Sequence, residues 1–377
     1  MGPNYIALAV PFFFLLIGIE LLVARRRGRQ VYRLGDALSD LGCGITQQIL
    51  AVFFNAALLA AYVWLYRHAR VVDLGRWPAA AWPVAFVGVD FIYYWWHRTS
   101  HRVNLFWAAH AVHHQSEDYN LAVALRQAVL TPFTSLPFSL PMAMLGIPPL
   151  VYVAAESFST LYQFWIHTEL VGRLGPFEKI LNTPSHHRVH HARNAAYIDR
   201  NYGAVLIVWD RLFGTYAQER ETPIYGLTRP LHSFNSLWAQ LGPIWELGGW
   251  ARRAPRLRDR LRVWLAPPER VFDWARDGVG PPHKLALDAP KFDVTMSGPL
   301  RGYLIINFAL AVAATFLLML WGASLPRPTL VAGAALVLLA MLSIGGLVEA
   351  RGWARPLEVA RVALTAAALA LVALRIV

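Results

Sequence analysis

The sequence predicts an all-α integral membrane protein, a helical transmembrane bundle with a cytoplasmic helical cap. Three observations predict it. The 377 residues are 56% hydrophobic and only 15% charged, whereas soluble chains run at roughly 45–50% apolar and about 25% charged. Apolar runs of bilayer length recur along the chain. Fifteen Trp and fourteen Tyr gather near the ends of those runs, as in Tyr93-Tyr94-Trp95-Trp96, where amphipathic rings favour the membrane–water boundary.

The first run, Tyr5 to Ala24, ends in Arg25-Arg26-Arg27-Gly28-Arg29. A signal peptide carries its charge before the apolar run, so this is read as an uncleaved helix whose C-terminal end is cytoplasmic. Further runs cover about 41–66 and 82–96. Two more, about 121–145 and 147–166, are separated by Gly146 and Pro148-Pro149 and read as a helical hairpin that crosses and returns. Residues 168–297 hold no long apolar run. Within them Leu237–Leu247 is Trp-rich and suits the interface, and the arginines of 252–270 suit anionic headgroups. Runs at about 300–321, 329–347 and 357–377 close the chain. The expected count is eight spans, or six with a shallow hairpin. Expected divisions are 1–80 (N-terminal transmembrane helices), 81–220 (catalytic region), 221–297 (cytoplasmic or interfacial) and 298–377 (C-terminal transmembrane helices). The positive-inside rule places His97, His167 and the 168–297 segment in the cytoplasm; Arg67, Arg70 and Arg76 dissent.

The net charge of +12 does not indicate nucleic acid. The basic residues lie between apolar runs, where anionic lipid accounts for them. A single cysteine, Cys43, rules out an internal disulfide or a thiolate metal site and is read as apolar filler in a spanning helix.

Ten of the thirteen histidines fall between residues 97 and 191. They form His97-x-x-x-His101, His110-x-x-His113-His114, a lone His167, and His187-x-x-His190-His191 preceded by His186. Helical residues at i, i+3 and i+4 share a face, so each group can bring imidazoles to one ion from successive turns. The adjacent pair in HxxHH points its rings apart and can serve two ions from one helix. Imidazole suits iron, zinc and copper. Nine such ligands are too many for one metal and right for two, which gives the cap a His-rich dimetal site. Histidines close to a membrane are costly unless paired or ligating. The isolated His68, His232 and His283 read instead as hydrogen-bonded structural residues. The cluster contains neither the Glu-x-x-His pair of carboxylate-bridged four-helix bundles nor HExxH.

These boxes resemble the fatty acid hydroxylase / sterol desaturase superfamily. The likeness extends through Asn182-Thr183-Pro184-Ser185, Asn201-Tyr202-Gly203 and Trp209-Asp210-Arg211-Leu212-Phe213-Gly214-Thr215. His113-His114-Gln115-Ser116-Glu117-Asp118-Tyr119-Asn120-Leu121 and Ala124-Leu125-Arg126-Gln127 look most like the alkylglycerol monooxygenase group and its bacterial relatives. The resemblance covers about residues 85–220. It implies a non-haem centre of two Fe ions, O2 as co-substrate, and hydroxylation or desaturation of a membrane lipid, with ether-lipid cleavage as a variant. The ligands it implies are His97, His101, His110, His113, His114, His167, His187, His190 and His191. His186 either completes a site or hydrogen-bonds a ligand.

Polar residues near the boxes are candidates to support those ligands. Asp90 lies seven residues before His97 on the same helix face, where its partner is either an imidazole N–H or an Arg or backbone group, the two readings weighing equally. Glu117, Asn120, Asn201 and Asp210 are further candidates, while Gly203 and Gly214 suit turns. With no His-Pro-Gly-Gly and no GxGxxG signature, the reductant is expected to be external, a redox protein or a tetrahydropterin. The expected setting is a bacterial inner membrane. The competing reading is a membrane metal transporter or metal-binding protein; transporters place their ligands near the bilayer midplane, whereas these boxes fall at helix ends on one side. A b-type haem carrier would leave most of the histidines unused.

Overall fold

The computed structural model describes residues 5–270, 272, 274 and 286–376. It is all-helical. The fourteen α-helices among those residues are accompanied by two isolated β-bridges, Leu181 with Leu206 and Ala192 with Tyr225. His283 lies outside the described residues.

Among the described residues four helices are long and apolar enough to cross a membrane: α1 (Tyr5–Arg26), α2 (Leu34–Ala69), α12 (Gly298–Trp321) and α13 (Arg327–Val348). Two physical reasons keep the hairpin and the third run from joining them. The hairpin helices α6 (Thr131–Met144) and α7 (Pro149–Trp165) have 14 and 17 residues. At 1.5 Å per residue they reach about 21 and 26 Å, short of a hydrocarbon core of about 30 Å. The third run becomes α3 (Pro78–Arg102), which is long enough but carries Asp90, His97, Arg98, His101 and Arg102. The last run becomes α14 (Ala354–Ile376), whose side chains past Leu371 lie outside the described residues.

The hairpin turns at Gly146, whose φ of +80° is open to glycine and whose position a Cβ would bring 1.7 Å from the Val72 carbonyl oxygen. Tyr62 hydroxyl donates to Ile147 O at 3.0 Å and stacks on Tyr152, tying the hairpin to α2. Helix α2 has 36 residues, about 54 Å, and its first two turns leave the apolar region. There Asp36, Ser39 and Asp40 are buried in a polar layer.

Helices α12–α14 form a second bundle. Leu304, Phe308, Met341 and Ile344 pack with Ile45 and Ile49 of α2. Buried charges in such surroundings must be paired. Glu358 accepts from Ser343 Oγ (2.6 Å) and Arg361 Nε (2.8 Å), and Tyr303 hydroxyl donates to it as well.

Long-range hydrogen bonds gather one end of the molecule. Arg29 reaches Glu169 (2.7 Å), Arg33 reaches Asp118 (3.1 Å), and Phe234 N donates to Glu349 (2.8 Å). The C-terminal ends of α1 and α13 and the N-terminal end of α2 therefore share one side with the histidine boxes. Over that side lie α4 (Asn104–His114), α5 (Leu121–Ala124), α8 (Pro184–His191), α9 (Val208–Leu212), α10 (Ser236–Arg253) and α11 (Leu257–Leu265).

Candidate metal centre

Helices α3, α4 and α8, with His167 two residues past the end of α7, bring nine histidines into two buried clusters. One holds His97, His101, His110, His114 and His190, the other His113, His167, His187 and His191. The adjacent pairs divide between them: His113 and His191 go to the second cluster, His114 and His190 to the first. The clusters abut, with His114 and His191 rings stacked at 4.4 Å. His186 belongs to neither; it faces Tyr216.

The ring nitrogens converge at coordination spacing. In the first cluster Nε2 of His97 and His110 are 2.9 Å apart, His110 and His114 3.1 Å, and His114 and His190 3.2 Å. In the second, His113 and His167 are 3.2 Å apart and His167 and His187 3.0 Å. Two imidazoles at right angles on one ion, each at about 2.1 Å, stand about 3.0 Å apart. Nε2 of His101 and of His191 is buried with no hydrogen-bond partner, a cost that a metal ion would remove. The donor set therefore fits a metal in each cluster.

The other ring nitrogen is fixed by the backbone. Nδ1–H of His97 donates to Tyr202 O (2.8 Å), His190 to Arg200 O (2.9 Å), His113 to Arg126 O (3.0 Å) and His167 to Gln163 O (2.7 Å). A carbonyl can only accept, so in each of these the proton sits on Nδ1 and the Nε2 lone pair points inward. Burial drives the α4 and α8 imidazoles toward the neutral form: His113 falls to about 4, and His110, His114, His187, His190 and His191 lie well below the ordinary value. Trp96, Trp107 and Tyr202 rings line the first cluster and Tyr119 the second.

The supporting carboxylates act one step further out than expected. Asp90 receives Val205 N–H (2.7 Å), Leu206 N–H (3.2 Å) and Trp209 Nε1–H (2.8 Å) rather than an imidazole. Of the two kinds of partner open to it, the backbone is the one present: at i−7 from His97 its carboxylate meets the 205–209 segment first. Asp210 accepts from Tyr202 N (2.7 Å), Gly203 N (2.8 Å) and Thr215 Oγ1 (2.6 Å), and burial raises its pKa. A Cβ at Gly203 would meet Leu206 O at 2.4 Å, so only glycine fits this turn, while Gly214 takes a φ of +74°. Asn201 Nδ2 binds His186 O (3.0 Å) and Ala217 O (2.8 Å). Glu117 accepts from Phe292 N (2.6 Å). Asn120 caps α5 through Ala122 N (2.9 Å) and binds Val31 O (2.7 Å). These five hold the loops that hold the histidines.

Two residues with comparable roles escaped the sequence reading. Asp199 Oδ1 lies 3.7 Å from His101 Nδ1, and its Oδ2 accepts from Arg102 at 2.6 Å. Burial opposes its ionisation, yet His101 and Arg102 together hold its pKa below the usual carboxylate range. The segment 199–202 thus faces three histidines of one cluster. Its sequence signal was Asp199-Arg200-Asn201, two residue types that tolerate positive φ; both adopt it, at 60° and 55°. Arg126 is fully buried. It pairs with Asp40 (3.0 Å), donates to Val112 O (2.6 Å) at the end of α4, and offers its own carbonyl to His113. An arginine inside an apolar run was the signal.

The isolated histidines have ordinary surroundings. His68 bonds Trp64 O through Nδ1 at 2.8 Å, and His232 stacks on Phe292. Cys43 is buried and free.

Comparison with known proteins agrees with this geometry. The fatty acid hydroxylase family matches residues 82–215. The chain is 39% identical to human alkylglycerol monooxygenase over 362 residues, covering 95% of this chain and 81% of that protein. It is 31% identical to an ornithine lipid hydroxylase of Rhizobium tropici over 37% of this chain and 44% of that one. Over 46% of this chain and 47% of the relative it is 26% identical to a sterol desaturase of Aspergillus fumigatus. No solved structure matches. The chain belongs to the fatty acid hydroxylase family, among the relatives of alkylglycerol monooxygenase.

Proposed function

We propose that this protein is a membrane-bound, non-haem di-iron oxygenase that uses O2 and an external reductant to hydroxylate a lipid, with ether lipids as the first substrate class to test. The observation that carries it is the pair of abutting, buried, all-histidine clusters on one side of a membrane bundle, joined to 39% identity with an alkylglycerol monooxygenase. Two irons, when bound, would supply the one-electron and O2 chemistry. The nine histidines of the two clusters would hold them, with His186 outside.

The chain's own contribution is placement and dryness. Nδ1–H bonds to backbone carbonyls keep the ligating lone pairs aimed inward. Asp90, Asp210 and Asn201 brace the 199–209 loop, and Glu117 and Asn120 brace the segment between α4 and α5. The aromatic lining would keep bulk water from the bound metals. On this reading residues 1–80 and 298–377 are membrane anchors, 81–220 the catalytic region and 221–297 an interfacial cover. On the same reading the histidine side is cytoplasmic, which the arginines at the end of α1 support, and it faces a separate redox protein or a tetrahydropterin as reductant. A bacterial inner membrane suits that topology.

Lipid profiling of cells with and without the protein, with His113→Ala as control, tests the reading. The expected product gains one oxygen, or is an aldehyde if an ether is cleaved. Loss of two hydrogens would redirect it to desaturation. Unchanged lipids in the presence of a working reductant, or zinc flux without O2 uptake in liposomes, would overturn it.

A further inference from the structure

Helix α11 leaves an apolar face uncovered. Leu257, Leu261 and Leu265 recur every fourth residue, share one side of the helix and are 60–72% exposed. Val263, on the other side, is fully buried with Ala108 of α4 and Ala251 of α10. Exposed Arg258, Arg260 and Arg262 stand beside the leucines. Nine residues span about 14 Å, so this helix is too short to cross a bilayer, and its arginines bar it from the hydrocarbon. An apolar stripe flanked by arginines is the pattern of a helix lying in the interface plane.

Helix α10 extends the same kind of surface. Trp238, Leu241 and Trp245 share its outward side and are exposed, and Arg252 lies over the Trp245 ring at 5.1 Å. Its first residue contacts α2 where that helix enters the apolar region: Cys43 Sγ lies 3.8 Å from Ser236 O. Tryptophan and arginine both favour the headgroup level. An acidic protein surface would neutralise the arginines but leave the leucines unmatched. An anionic lipid leaflet answers both.

We propose that α11, with the outward side of α10, lies in the membrane interface and binds anionic phospholipid headgroups on the histidine side. The leucines enter the upper acyl region, and Arg258, Arg260 and Arg262 take the phosphates. The contact also sets a height. Asn104, the first residue of α4, donates through Nδ2 to Val263 O (2.8 Å) and through its backbone N–H to Ala266 O (2.9 Å). Helix α4 carries His110, His113 and His114, so the leaflet surface is held in register with both clusters. The proposal is independent of which metal binds and which reaction follows.

The test uses the full chain in lipid nanodiscs. Buried Cys43 leaves little background, so Leu261→Cys takes a polarity-sensitive fluorophore, with Arg220→Cys, exposed on the cap, as control. Spin-labelled lipids carry the quencher high or low on the acyl chain, in phosphatidylcholine alone or mixed with phosphatidylglycerol. The expected result is quenching at 261 of about twofold or more by the high label, stronger with phosphatidylglycerol, and none at 220. Replacing Arg258, Arg260 and Arg262 together by Gln removes the phosphatidylglycerol effect. Equal signals at 261 and 220 would overturn the proposal. So would stronger quenching by the low label, lipid dependence that survives the arginine replacements, or shielding of the probe by an added acidic protein in place of lipid.

Discussion

Individual residues show how tightly the histidines are aimed. Asp199 is the carboxylate that stands against a cluster imidazole, 3.7 Å from His101 Nδ1. Outer partners of this kind commonly change metal affinity by about 10–100-fold. Asp199→Asn is therefore expected to lower occupancy of the five-histidine cluster while the four-histidine cluster keeps its ion. Elemental analysis of purified protein would read this as a fall from two metals toward one, and Asp199→Glu should restore part of it. Equal loss from both clusters would argue against a local role. Arg126→Met should cost about 3–5 kcal/mol, because it strands the buried Asp40 carboxylate; thermal melting of the metal-free protein measures it. The histidines were legible in the sequence because their i, i+3, i+4 spacing encodes a shared face. The roles of Asp199 and Arg126 were not, because both act across gaps that only the folded loop closes. For Asp90 the imidazole and the backbone stayed equally open for the same reason: helical spacing gives the face, and the neighbour on that face comes from residues 205–209.

At the scale of elements, α4 and α8 are two short helices crowded with imidazoles that resist protonation. Their folded pKa values lie below the ordinary 6.5, at about 4 for His113. Between those values the unfolded chain binds more protons than the folded one, so stability falls as pH drops through that window. The size is on the order of 1.4 kcal/mol per pH unit for each histidine affected. Metal-free protein should thus melt progressively lower from pH 6.5 toward pH 4, and a flat melting temperature would contradict the burial. The short hairpin α6–α7 shows what apolar runs conceal. Hydropathy saw two stretches of spanning length, but Pro132, Pro137 and Pro141 sit within α6 and the segment from Leu121 to Leu130 is spent on α5 and a turn. Length in the sequence overstated length along the membrane normal.

For the molecule as a whole, the arrangement of ends is the testable quantity. Val71, 81% exposed beyond the far end of α2, and Arg220, exposed on the histidine side, should face opposite sides of a sealed vesicle. Single cysteines at these positions, treated with a membrane-impermeant maleimide, should label from opposite sides. Labelling of both from one side would remove α2 as a span. The bundle was legible from composition and runs alone. The seating of α12–α14 on α2 was not, since it depends on complementary apolar faces such as Leu304 and Phe308 against Ile45 and Ile49, which no local motif marks.

The division of each HxxHH box between two pockets has a consequence for assembly. Helices α4 and α8 each donate to both clusters, so an ion captured in one pocket fixes the rotation of two helices and thereby shapes its neighbour. Loading of this centre should be coupled without being all-or-none: the first ion pre-shapes the neighbouring pocket, so a ferrous titration should show the second ion bound more tightly than the first, while either pocket still holds its ion when the other is impaired.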